Sequence, residues 1–146
     1  MKKIATVLLG SLLAVATMGQ HYGFASEANG IEIELNKLEQ AEAGCRLTFK
    51  SSNHLSANLE NLSIEVYLLD VKGIALQSIQ FAFGAIAASK ARFANFDLKD
   101  RKCDEIGAIF VNEVKSCKLS GQTAQACPTT LQLRNLTSIK FTDGAS

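Results

Sequence analysis

The stretch "YLLDVKGIALQ", Tyr67 to Gln77, decides the fold class. Two apolar runs meet at Asp-Val-Lys-Gly, either as the kink between two helices or as the turn of a β-hairpin. Asp70 can close a turn through its side chain, and Gly73 accepts a positive φ at the turn's end. The arms favour the hairpin. In "LSIEVYLLD", Leu62, Ile64, Val66 and Leu68 fall on one face, and Ser63, Glu65, Tyr67 and Leu69 on the other. A period of two is the pattern of a half-buried strand. "IALQSIQFAF" continues as a second extended run, and the isoleucine, tyrosine and phenylalanine of the two arms suit a pleated surface.

The segments on either side repeat the pattern. "GIEIELNKL" sets Ile31, Ile33 and Leu35 against Glu32, Glu34 and Asn36. "CRLTFK" sets Cys45, Leu47 and Phe49 against Arg46, Thr48 and Lys50. Between Ser51 and Asn61 the chain is polar and reads as a loop. "FGAIAASKARFANFDL" is alanine-rich, which favours a helix by propensity. Yet Ala94, Phe96 and Leu98 alternate with Phe93, Asn95 and Asp97, so Gly84 to Lys90 reads as a loop and Arg92 to Leu98 as a strand. "KDRKCDEIG" is a charged turn with one helical turn around Cys103. "AIFVNEV" is a strand, with Ile109 and Val111 on one face and Ala108, Phe110 and Val114 on the other. Pro128 forbids a central strand at its own position. "TLQLRNLTSIKFT" supplies the last strand, broken near Asn135. The expectation is an all-β chain: an immunoglobulin-like antiparallel β-sandwich of about seven strands.

The chain opens "MKKIATVLLGSLLAVATMGQHYGFASEANG". Lys2 and Lys3 precede an apolar run, Ile4 to Ala16, that is short for a membrane span. "GFAS" offers small residues for cleavage after Ala25. This is the form of a secretory signal peptide, with a short N-terminal anchor as the competing reading. No L-x-x-C precedes the first cysteine, which argues against a lipoprotein. Residues 1–25 are therefore expected to be a leader and residues 26–146 a single β-sandwich domain. The destination is then the periplasm or the exterior. Loss of Lys2 and Lys3 takes the formal charge from +1 to slightly negative. A near-neutral surface argues against nucleic acid, which needs a basic stripe, and against electrostatic membrane binding. No second apolar run approaches the roughly 20 residues of a spanning helix, so no stable membrane insertion is expected after cleavage.

All four cysteines, Cys45, Cys103, Cys117 and Cys127, lie beyond the leader. An even count in an oxidising compartment reads as two disulfides. Of the three connectivities, Cys117–Cys127 is favoured because the two residues bracket the short polar loop "KLSGQTAQA". Cys45–Cys103 remains as a long-range staple. A zinc site is the rival, but no C-x-x-C pair occurs and His54 has no partner at ligand spacing.

"GCRLTF", "IEVYLLDVKG" and "FDLKDRKCDEIGAIFVNEVKSC" carry a resemblance. A cysteine opening a strand, a hairpin turning at Asp-x-x-Gly, and Phe-Asp-Leu ahead of Cys-Asp-x-Ile-Gly resemble a group of small exported alphaproteobacterial proteins. The hairpin is also similar to that of FxLYD-type sandwich domains, departing from them in the two leucines between Tyr67 and Asp70. The resemblance implies a secreted β-sandwich with paired cysteines and no particular activity.

Chemistry-bearing constellations are sparse. Nucleophilic hydrolysis needs a nucleophile oriented by a base. His54, with Ser51, Ser52 and Ser56 around it, is the one histidine beyond the leader, and it reads as part of a solvated loop. G-x-S-x-G is absent. Asp97, Asp100, Asp104 and Glu105 cluster, but Lys99, Arg101 and Lys102 interleave with them, as on a solvated turn. The calcium loop D-x-D-x-D-G and the phosphate loop G-x-x-x-x-G-K do not occur. "NLS" at Asn61 and "NLT" at Asn135 are chance glycosylation patterns in a bacterial context. Phe81, Phe83, Phe93 and Phe96 read as core, or as an apolar ligand pocket. The candidate interface is Tyr67 and Leu69, which sit where a solvent face prefers polar groups, joined by Ile79 and Phe81. The alternative is an outer face covered by the Gly84–Lys90 loop. No catalytic residue, cofactor or metal is expected. The functional expectation is a non-enzymatic module that binds a protein partner or assists assembly in the envelope. Inhibition of an extracellular hydrolase through the closed loop 118–126, or carriage of a small apolar ligand, are the alternatives.

Overall fold

The computed structural model describes residues 30–122, 127 and 131–144. The expected leader, Pro128 and residues 123–126 of the loop between Cys117 and Cys127 lie outside them. Eight strands follow in order: β1 (Ile31–Ala41), β2 (Gly44–Asn53), β3 (Leu59–Leu69), β4 (Ala75–Ala82), β5 (Lys90–Lys99), β6 (Ala108–Leu119), β7 (Leu131–Asn135) and β8 (Lys140–Thr142). A 3-10 turn at Cys103–Glu105 precedes β6, where one helical turn is expected. The strands form two sheets of four, β5-β2-β1-β7 and β4-β3-β6-β8.

The opening stretch is a hairpin. Asp70 locks it by accepting the Lys72 and Ile74 amides on one carboxylate oxygen, each at 2.8 Å. The Asp70 amide donates to the Ile74 carbonyl at 2.8 Å and the Gly73 amide to the Asp70 carbonyl at 3.0 Å. Gly73 adopts φ +82°, a conformation open to glycine and strained for other residues. One arm is β3 and the other β4, paired antiparallel from Ser63–Ala82 through Tyr67–Ser78.

The apolar faces meet between the sheets. Ile31, Ile33, Leu35, Leu47, Phe49, Leu62, Ile64, Val66, Leu68 and Ile109 have no exposed surface. Phe49 is the hub of an aromatic cluster, 5.4 to 5.9 Å by ring centroids from Phe81, Phe83, Phe96 and Phe141. These rings fill the core. Phe93, opposite Lys50, stands on the outer face and is 59% exposed.

Three sequence expectations need correction. Ser51 to Asn53 are not loop: they end β2 and are buried, while β3 already begins at Leu59. The run is polar because Asn53 is a hub. Its amide nitrogen donates to the carbonyls of Ala57, Ile86 and Ala87, and its oxygen accepts the Leu55 amide. Val114 does not share a face with Phe110. Irregularities in the β3–β6 register place it opposite Ile64, on the core side; an extra residue re-phases everything beyond it. The last segment is two strands in different sheets. Asn135 ends β7 by donating to the Ile139 carbonyl at 2.6 Å and accepting the Thr137 amide and hydroxyl. The chain crosses there, so β7 pairs parallel with β1 and β8 parallel with β6. The remaining pairings are antiparallel.

Two disulfides staple the sandwich. Cys45–Cys103 closes a separation of 58 residues at a Cα distance of 4.9 Å. Cys117–Cys127 closes a separation of 10 at 5.8 Å. In the chain-entropy account the first contributes about 4 kcal/mol and the second somewhat under about 3 kcal/mol. Two disulfides fit an oxidising compartment. Among the described residues no helix is long and apolar enough to cross a membrane.

Candidate functional site

The four interface candidates do not come together. Tyr67 lies opposite Ser78 and Phe110, and Leu69 opposite Ala75 and Ala108, on the outer face of the second sheet. Ile79 lies opposite Val66 and Phe81 opposite Ile64, on the inner face. Phe81 is 1% exposed and belongs to the core, while Ile79, Tyr67 and Leu69 are half-buried. The residue that completes the outer apolar row is Phe110, half-buried between Tyr67 on β3 and Thr142 on β8. The Gly84–Lys90 connection does not cover this row. It packs at the opposite end of β3, where Ile86 bridges Leu59 through reciprocal backbone bonds of 2.9 and 3.0 Å.

The outer row leads into the hairpin tip. There Val71 is 72% and Ile74 61% exposed, the two most exposed large apolar side chains described. The tip is held from below. The Gly107 amide donates to the Leu69 carbonyl at 2.9 Å, and a Cβ on Gly107 would collide with the Asp70 carbonyl. The turn therefore presents two apolar side chains on a fixed frame.

Beyond Tyr67 the outer face turns polar. Ser63 and Ser116 hydroxyls lie 2.6 Å apart, with Asn61 donating to Ser116 and Gln80 to Ser63. Asn112 donates to Glu65 at 2.8 Å, and Lys115 pairs with Glu113 at 2.7 Å. The hydrogen bond that Lys115 donates to Glu113 raises its ammonium above its ordinary value. The bond between Lys118 and Glu60 raises the lysine and lowers the carboxyl. On the other sheet, Arg46 grips Asp97 with two donors at 2.6 and 2.9 Å. That bond holds the Asp97 carboxyl below the usual carboxylate range. Glu34, 3% exposed, receives Asn36 at 2.8 Å and Arg134 at 3.2 Å.

A groove of about 490 Å³ runs between β4 and β5. Ile79, Phe81, Phe96 and Leu98 are its apolar lining, with Gln77, Gln80, Asn95, Asp97 and Lys99 beside them. Phe81 and Phe96 pack at 4.4 Å between ring centroids. Arg101 spans one end, donating to Gln77 at 3.0 Å.

The constellations considered for chemistry are dispersed. His54 is exposed on the loop after β2, its amide donating to the Gly30 carbonyl at 2.9 Å; no carboxylate among the described residues hydrogen-bonds its ring. The acids of the charged turn go separate ways: Asp97 to Arg46, and Glu105 to Arg101 at 3.6 Å. No group of three potential metal ligands converges among the described residues. Cys45 is fully buried and Cys103 half-buried in their disulfide.

Compared with models of known protein families, with characterised proteins and with solved structures, the chain matches none.

Proposed function

We propose that this protein is a non-enzymatic module of the bacterial cell envelope that binds a protein partner or assists assembly. The observation that carries this reading is the locked hairpin tip. Val71 and Ile74 are displayed on a turn whose backbone is held by Asp70 and seated on Gly107. Rigid presentation lowers the ordering cost of association, and exposed apolar side chains backed by a half-buried aromatic row are the makings of an interface core. The two disulfides and the expected leader support an exported setting. A photoreactive phenylalanine analogue at position 74, in the chain expressed in its bacterial host, is expected to give one discrete adduct. The same probe at Leu136, comparably exposed on the β7–β8 turn, is expected to give none. Equal labelling at both positions, or none at position 74, overturns the reading.

A further inference from the structure

We propose that the Cys117–Cys127 disulfide is a redox-sensitive catch on β7. A dithiol reductant opens it while Cys45–Cys103 stays closed, and β7 then loosens from β1. This concerns a different part of the molecule from the hairpin tip, so it and the functional reading can fail separately.

The two disulfides differ in what surrounds their cysteines. Thiol–disulfide exchange needs a thiolate to reach one sulfur and the other sulfur to leave as a thiolate. Cys45 has no exposed surface, so an attacker does not reach it. Attack on the half-buried Cys103 expels the Cys45 thiolate into the apolar core, where an unpaired charge is costly. Cys117 and Cys127 are each half-buried. Neither is enclosed, so neither attack requires a thiolate to form within the core.

They differ again in how the cysteines are held once the bond is open. Cys45 lies within β2, opposite Gln40 of β1 and Leu98 of β5. The Cys103 amide donates to the Gln40 side chain at 2.9 Å, and that side chain donates to the Gly44 carbonyl at 3.2 Å. Both partners stay in place, and the bond recloses. Cys117 is held in β6 opposite Leu62, but Cys127 lies outside every strand.

The strand that depends on Cys127 is β7, which begins just after it in the chain. β7 is outermost, five residues long and paired with β1 alone. Beyond that pairing it is fastened by Arg134 on Glu34, by the turn at Asn135 and by Leu131 and Leu133 against the core. With the disulfide closed, the start of β7 is tied through Cys127 to Cys117. With it open, docking must close the whole run from Leu119 to Leu131, and the longer loop carries a larger entropic cost.

The step is a balanced exchange. One thiolate of the dithiol attacks a sulfur of the pair, the S–S bond breaks, and the displaced cysteine takes up a proton. The second thiol gives up its proton and displaces the other cysteine. Cys117 and Cys127 gain two electrons and two protons, and the dithiol becomes a disulfide.

The test treats the intact exported protein with dithiothreitol under native conditions, quenches with N-ethylmaleimide and maps the labelled cysteines by mass. Cys117–Cys127 is expected to open at least tenfold faster than Cys45–Cys103, so that a form labelled only at Cys117 and Cys127 accumulates. In that form the protected amides of β7 are expected to exchange at least tenfold faster, with those of the β3–β4 hairpin unchanged. The double variant Cys117→Ser, Cys127→Ser is expected to show the same exchange pattern without reductant. If it does not fold, the labelled form, made from folded protein, decides. Both bonds opening at one rate, Cys45–Cys103 opening first, unaltered exchange in β7, or an equal rise in every strand overturns the proposal.

Discussion

The two flanks of the sandwich are finished differently. On one, the closed flank, two short strands cover the longer edges of β1 and β6 and are themselves outermost. β7 zips parallel to β1, Asn135 turns the chain, and β8 zips parallel to β6. On the other, β4 and β5 present long outer edges that no strand among the described residues pairs, with a groove between them. The closed flank is made of very short strands, five and three residues. The open flank has strands of eight and ten. Brevity and cover protect an edge from strangers; a long, neutral edge invites them. One molecule therefore carries both solutions.

The contrast can be broken most severely through the long staple, which ties the exit of β5 to β2. Replacing Cys45 and Cys103 with alanine is expected to cost about 4 kcal/mol, measured by urea unfolding, with the largest rise in amide exchange along β5. Exchange that rises equally on β7 and β8 would remove the distinction between the flanks. Next comes Phe141→Ala on the closed flank. Phe141 is 8% exposed and packs on Phe49 at 5.7 Å. Its loss is expected to cost about 3 kcal/mol, and β8, three residues long, should lose protection first. A cost below about 1 kcal/mol would mean that β8 does not close the flank. Ser78→Pro sharpens the comparison from the other side. On a free edge it should change stability by less than about 1 kcal/mol; a larger loss would show that the outward groups of β4 are already in use.

The smallest effect is electrostatic and lies on the rim of the open flank. Asp97 is lowered chiefly by its hydrogen bond to Arg46. A carboxyl lowered in the folded state contributes stability above its unfolded pKa, and the contribution is lost as pH falls through the folded value. Both groups are exposed, so the loss in acid is slight. Arg46→Gln is expected to move the Asp97 midpoint upward in a carboxyl-resolved titration; an unmoved midpoint would contradict the pairing.

Much of this architecture was legible because period-two patterning reports one strand at a time. Ile31, Ile33 and Leu35 face inward as their spacing requires, and Asp70 and Gly73 make the turn their chemistry suits. The loop reading holds from Gly84 to Ser89, Lys90 already opening β5, and the strand over Arg92 to Leu98 holds. So does the cysteine pairing. What eluded the pattern was phase and partnership. The hairpin's two arms look alike in sequence, but the turn's residue count decides which positions of β4 share a face with Tyr67. Ile79 and Phe81 thus point to the core and Ser78 to the surface. An irregularity in β6 likewise brings Val114 to the core side. Sheet membership of the last two strands depends on contacts with β1, about 100 residues earlier in the chain, and with β6, about 30 residues earlier, which no local spacing encodes. The candidate site was legible only in Tyr67 and Leu69. Phe110 was visible as an apolar residue, but its place beside Tyr67 required the register.

Asn53 has a consequence for the molecule's chemical ageing. Its amide nitrogen faces three carbonyl oxygens, those of Ala57, Ile86 and Ala87. Deamidation would put a carboxylate oxygen where the donor stood, turning attraction into repulsion toward all three. A one-dalton change would unfasten two surface connections at once, the loop after β2 and the segment leading into β5. Burial at 1% exposure shields that amide from the water the reaction consumes, so the same fold that depends on the group also preserves it.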